Sequence, residues 1–213
     1  MPRSRREDHE GAWQHVMNRG IDRGVIFRSD ADFRVFLECL ESAMTRYALQ
    51  LHGYCLMGNH FHLLVFSEKG QLSDGMRFLS GRFTQRINYR DQRDGPLFRG
   101  RFASRLIESD AHLVCVSQYI HRNPVEAGWV REPEDWPWSS AAAYLGTAKA
   151  PEWLRTNAIL EMFGSEGWRE YRAFLAAGVD DATRESYQIW KLDADCLGAG
   201  VRPAGSDPEG APC

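Results

Sequence analysis

The stretch Leu49–Ser67, LQLHGYCLMGNHFHLLVFS, decides the fold. Two β-favouring runs flank Gly58-Asn59, a dipeptide suited to a tight hairpin, so the runs predict a pair of antiparallel strands. Upstream, Ala12–Asn18 (AWQHVMN) is a short, largely apolar run ahead of the turn-forming RGIDRG and reads as a first strand. Between them Ser29 or Asp30 can cap a helix in which Phe33, Phe36, Leu37, Leu40 and Met44 recur at helical spacing through about Tyr47. Downstream, Met76, Leu79, Phe83 and Ile87 keep a spacing of three or four between Leu72 and about Asn88, giving a second helix whose outer face carries arginines. Asp94-Gly95-Pro96 then breaks the chain, FASRLIES reads as a fourth strand, and Asp110 opens a helix holding Leu113, Val114, Val116, Tyr119 and Ile120. The order predicts an α+β, ferredoxin-like layout: an antiparallel sheet with helices packed on one face, and one added helix.

The segment after Pro124 is rich in tryptophan and irregular (GWVREPEDWPWSS), then helical in pattern over Ser139–Leu145, Trp153–Phe163 and Trp168–Ala177. It is expected to form a small helical extension. The resulting division is a catalytic domain at 1–128, the extension at 129–196, and an unfolded Gly, Pro and Ala-rich tail at 197–213.

With 213 residues, 43% of them hydrophobic, the chain can bury one real core. No run approaches the ~20 apolar residues of a membrane span, and MPRSRREDHE lacks the apolar core of a signal peptide. A soluble, cytoplasmic protein is expected. Its five cysteines form no CxxC pair and are read as reduced thiols.

The net charge of −3 does not by itself suggest a nucleic-acid partner, but its distribution does. Eight arginines lie between Arg77 and Arg105, opposed there only by Asp91 and Asp94, and lysine is absent from the stretch. The guanidinium fork matches phosphate oxygens. Arg82, Arg86, Arg99 and Arg101 are candidate DNA contacts, although an arginine run equally describes a solvated helix face. Phe83, Tyr89, Phe98 and Phe102 accompany them, and single-strand binders pair a cationic groove with aromatics on which bases stack. Trp136, Trp138, Trp153 and Trp168 carry the same two readings, stacking or packing.

The sharpest chemical signal is His60-Phe61-His62. Alternation along a strand aims both imidazoles to one side and Phe61 to the other, and two imidazoles on one face can grip a divalent cation. Tyr119 and Asn123, four residues apart, share one face of a helix. A tyrosine hydroxyl near a metal can attack phosphorus, and an amide oxygen beside it can complete the metal shell. Taken singly, these residues also fit ordinary surface histidines, a half-buried core tyrosine and a helix-ending asparagine before Pro124.

The segments GYCLMGNHFHLLVFS, GPLFRGRFASRLIES and SQYIHRNPVEAGWV, followed by DWPWSS, together resemble the REP-associated tyrosine transposases, relatives of the small insertion-sequence single-tyrosine transposases of the HUH type. The resemblance runs from about Trp13 to Tyr144. It implies a metal-dependent single-strand DNA endonuclease and strand transferase acting near REP-like hairpins. His60 and His62 become the metal pair, Tyr119 the nucleophile and Asn123 a third ligand, with Mg²⁺ or Mn²⁺ as cofactor. One departure is Gly58, where the family usually has proline before the Asn-His. Small insertion-sequence relatives act as dimers with the tyrosine supplied in trans, whereas REP-associated ones can act as monomers, so a monomer or a homodimer is expected, the extension favouring the monomer. Two rival readings remain: a catalytically silent hairpin-binding regulator, and a hydrolase using metal-bound water, which needs no tyrosine.

Overall fold

The structure, a computed structural model, describes residues 8–179. Its elements follow the expected order: β1 (Ala12–Arg19), α1 (Asp30–Arg46), β2 (Leu49–Met57), β3 (His60–Ser67), α2 (Leu72–Asp91), β4 (Ala103–Ile107) and α3 (Asp110–Glu126). Met57 pairs with His60, so Gly58-Asn59 is the whole hairpin turn. The four strands form one antiparallel sheet in the order β2-β3-β1-β4, the ferredoxin-like arrangement.

Alternation along β3 divides the molecule. Phe61 packs on Phe36 of α1 at 4.9 Å between ring centroids, in a phenylalanine cluster with Phe27, Phe33 and Phe83, so α1 and α2 cover this face. His62 faces the other way, toward Tyr119 of α3 at 5.4 Å. The two helices of the ferredoxin-like unit therefore share one face, and the added helix lies over the opposite one.

Strand β2 is an edge, and an open edge invites pairing with other chains. Here the extension covers it. Leu56 N–H donates to Trp138 O (2.9 Å), Ser140 N–H to Tyr54 O (3.0 Å) and Arg155 N–H to Leu51 O (2.8 Å), while the buried Trp136 indole donates to Leu56 O (2.9 Å). Trp138 stacks on Phe33 at 4.6 Å and Trp153 packs near Tyr54 at 5.9 Å, so three of the four ambiguous tryptophans are packing residues. Trp168, 45% exposed, is not. Helix α4 (Ala141–Tyr144) falls within its expected segment, and α6 (Gly167–Ala177) begins one residue before its own. The expected helix over Trp153–Phe163 is shorter: only Asn157–Leu160 (α5) is α-helical, continued by a 3-10 turn at Glu161–Phe163, because Trp153–Arg155 is committed to the β2 edge. The tail at 197–213 lies outside the described residues. Among the described residues no helix is long and apolar enough to cross a membrane.

The extension is also tied to α3 through a buried polar chain. The imidazole of His121 lies 2.6 Å from Tyr171 Oη on one nitrogen and 2.6 Å from Ser140 Oγ on the other, and Tyr171 donates onward to Ser117 Oγ at 3.1 Å. Burial pushes His121 down to about 3, and burial likewise pushes His52 down to about 4. Both stay neutral when folded and bind protons when unfolded, near pH 6.5. The unfolded state thus holds more protons between the two values, and stability falls as pH drops through that window. Each contributes about 1.4 kcal/mol per pH unit. The melting temperature is expected to be flat from pH 8 to 7 and to fall steeply from about pH 6 to 4; in His121→Gln the slope should be shallower, and an unchanged slope there would exclude His121 as the cause.

Candidate active site

The site lies between the α3 face of the sheet and α3 itself. His60 and His62 sit side by side at 5.1 Å between ring centroids, at the end of β3 next to the hairpin. Each has its Nδ1 engaged. His60 Nδ1 lies 2.8 Å from Asn59 Oδ1, and the Asn59 amide is held the right way round because its Nδ2–H donates to Arg23 O (3.3 Å). His62 Nδ1 lies 3.0 Å from Nε2 of His15, a fully buried residue on the neighbouring strand β1. A carboxamide oxygen can only accept, so His60 carries its proton on Nδ1 and its lone pair on Nε2. When His62 donates to His15, it too presents the Nε2 lone pair. Burial pushes His60 down to about 4 and holds His62 well below its ordinary value, so both imidazoles are neutral at neutral pH.

Tyr119 stands against His62 and its buried neighbour, its ring 5.4 Å from His62 and 5.8 Å from His15. Asn123, one helical turn on, hydrogen-bonds with the side chains of both His60 and Tyr119, while its Nδ2–H also donates to Tyr119 O at 2.9 Å. Asn123 does not end the helix: α3 continues through Pro124 to Glu126. Desolvation pushes the Tyr119 hydroxyl up to about 12, partly opposed by Asn123. Cys55, fully buried and paired with His62 across β2, lies on the same side of the sheet.

The donors suit a cation of intermediate hardness. Two neutral imidazoles, that of His60 with its tautomer fixed by Asn59, and one amide side chain form a mixed nitrogen and oxygen set. Among the described residues no group of three or more His, Cys, Asp and Glu is poised around a metal. The Asn123 amide, which contacts His60 and Tyr119, could serve as a third donor here.

The arginines divide. Arg82, close to Cys39 of α1, and Arg86, bonded to Glu38 at 2.6 Å, lie on the phenylalanine side of the sheet, away from the histidines. Arg99 and Arg101 belong to the exposed loop before β4, and Arg99 N–H donates to Arg19 O (3.0 Å) beside the site. Phe83, Phe98 and Phe102 are core; Tyr89 is 81% exposed on α2. Sequence reading missed His15, Asn59 and Arg19. His15 looked like one polar residue in an apolar strand, and only the β1–β3 register, His15 opposite Leu64 and Met17 opposite His62, brings it against the HxH pair.

The family model for IS200-like transposases matches residues 9–123, from just before β1 to Asn123. A Haemophilus influenzae protein named as a REP-associated tyrosine transposase is 27% identical over 116 residues, covering 49% of this chain and 66% of that protein's length. A solved structure described as a REP-associated tyrosine transposase bound to a REP hairpin superposes with a TM-score of 0.60 at 19% identity, over 73% of this chain and 92% of its own. The fold is thus that of the solved transposase. With the family model spanning more than half of the 213 residues and every element of the sheet, the chain belongs to the IS200-like, single-tyrosine transposase family.

Proposed function

We propose that this protein cuts and rejoins single-stranded DNA beside hairpins, with Tyr119 as the nucleophile. The observation that carries the reading is the placement of Tyr119 against His62, with Asn123 touching both the tyrosine and His60. In the reaction the Tyr119 Oη–P bond forms as the P–O3′ bond breaks; the tyrosine loses its proton and the departing 3′ oxygen gains one. The products are a 5′-phosphotyrosine and a free 3′-OH. Attack of another 3′-OH on that linkage reverses the step, so strands rejoin without an external energy source.

Burial places demands on this chemistry. A hydroxyl pushed up to about 12 is protonated at neutral pH, so its proton leaves only as attack proceeds. A divalent cation, Mg²⁺ or Mn²⁺, held by His60, His62 and Asn123 would supply neutralisation of the phosphate's charge. Asn123 orients Tyr119, and Asn59 and His15 hold the two imidazoles with Nε2 outward.

The tyrosine stands over histidines of its own chain, and His121, two residues on, is fastened to the extension by Ser140 and Tyr171. That supports action as a monomer with the tyrosine in cis. The test is a denaturing gel of wild-type protein with labelled, hairpin-bearing single strands from its own genome. A covalent protein–DNA band that requires Mg²⁺ or Mn²⁺ is expected. Tight hairpin binding with no band under any metal would instead support a silent regulator.

A further inference from the structure

Beside the histidines the chain builds a second, cationic cavity. It has a volume of about 250 Å³ and is lined by Arg19, Asp22, Arg23 and Arg99. It is open to solvent and has far more room than one small ion occupies. Arg19 is paired with His60 across β1 and β3, and directly opposed residues of antiparallel strands share a face. The cavity therefore adjoins the HxH pair on the side of the sheet where Tyr119 stands.

The loop that forms it is held in an uncommon conformation. Asp22 and Arg23, neither a glycine, both adopt left-handed backbone with φ of 49° and 60°. Gly20 has no room for a side chain, since a Cβ there would come within 2.0 Å of Gly24 O. Bonds from both sides impose this shape: Gly20 N–H donates to Asn59 O (2.9 Å), Ile21 N–H to Leu97 O (3.0 Å), and Ile26 N–H to Gly58 O (2.9 Å). Strained non-glycine backbone that persists because its surroundings over-determine it clusters at ligand sites. Asn59 also joins the two sites physically, with its oxygen on His60 and its amide on Arg23 O.

We infer that this cavity holds a backbone phosphodiester of the unpaired strand, next to the scissile one, and so sets which bond of the strand lies under Tyr119. Three guanidiniums against one carboxylate make the lining cationic, suited to an anionic diester with its sugar. The link through Asn59 to His60 favours a phosphate of the strand lying at the histidines over a free anion. The inference rests on the strand-cutting reading above but concerns binding, so it can fail separately.

The test uses a hairpin-bearing strand in which each phosphate within three of the cut bond is replaced, one at a time, by a neutral methylphosphonate. Binding is read by fluorescence anisotropy against wild type, Arg19→Gln/Arg23→Gln and Arg19→Lys. One flanking position is expected to cost wild type about tenfold, as loss of a charge-assisted contact does. That position should cost the double glutamine variant nothing further, and the variant's salt dependence should be shallower by about one. Arg19→Lys should restore the salt slope but only part of the affinity, because ammonium keeps the charge and loses the fork. Free inorganic phosphate at millimolar concentration should not compete; competition at that level would assign the cavity to a free anion. Equal methylphosphonate penalties in wild type and the double variant at every position would overturn the inference. Strand binding without any tyrosine adduct would instead overturn the reaction reading and leave this comparison intact, and absence of strand binding would overturn both.

Discussion

Tyr119→Phe is expected to bind the hairpin strand within about twofold of wild type while its covalent adduct disappears, a loss of at least about a thousandfold in cleavage rate. The separation follows from where the hydroxyl sits. The ring is packed against His15 and His62 and remains so in phenylalanine, so the strand meets an unaltered surface. What goes is the oxygen proposed to bond to phosphorus, together with one hydrogen-bond partner of Asn123. The stability change should be about 1 kcal/mol, the net worth of such a bond. Burial already disfavours the charged hydroxyl, so its removal carries no penalty for an unpaired anion. Continuing cleavage with hydrolytic products in the variant would contradict the tyrosine mechanism and point to metal-bound water. A variant that neither cuts nor binds would mean that the hydroxyl, not the ring, shapes the DNA surface.

The parts of this molecule that were legible in the sequence share a physical cause: they are written in local periodicity. Phe33, Phe36, Leu40 and Met44 mark α1 because one helix face must be apolar, and Gly58-Asn59 marks the hairpin because few dipeptides turn so tightly. His60 and His62 were visible for the same reason, since alternation alone puts them on one side. Register is different. It is fixed by which strand edges meet, and His15 is brought against His62 only through β1 pairing with β3. Arg82 and Arg86 follow one helix in the sequence, and only the packing of α2 beside α1, where Arg86 meets Glu38, shows that they lie on the side of the sheet away from the histidines. The irregular extension was hardest to read because its bonds run to the β2 edge rather than within its own segment. The short helix at Asn157–Leu160 follows from that.

His15 yields the second large effect. His62→Ala should abolish metal-supported cleavage, by about a thousandfold or more, since it removes one of two imidazoles and leaves a single nitrogen donor. His15→Ala removes no donor. It removes the group that holds Nδ1 of His62, and loss of such an orienting partner typically costs about 10 to 100-fold in metal affinity or activity. If His15 acts only through His62, the double variant should be no worse than His62→Ala, whereas independent sites would multiply. Titration calorimetry with Mn²⁺ on the protein without DNA gives the readout apart from turnover. His15→Gln, whose side-chain oxygen can still accept from His62 Nδ1, should recover part of the affinity lost in alanine, and thermal melts separate this from loss of fold. A His15→Ala protein that binds Mn²⁺ like wild type, yet cuts poorly, would move His15 from the imidazole to the neighbouring Tyr119 ring, 5.8 Å away. Multiplying losses in the double variant would show that it acts on both.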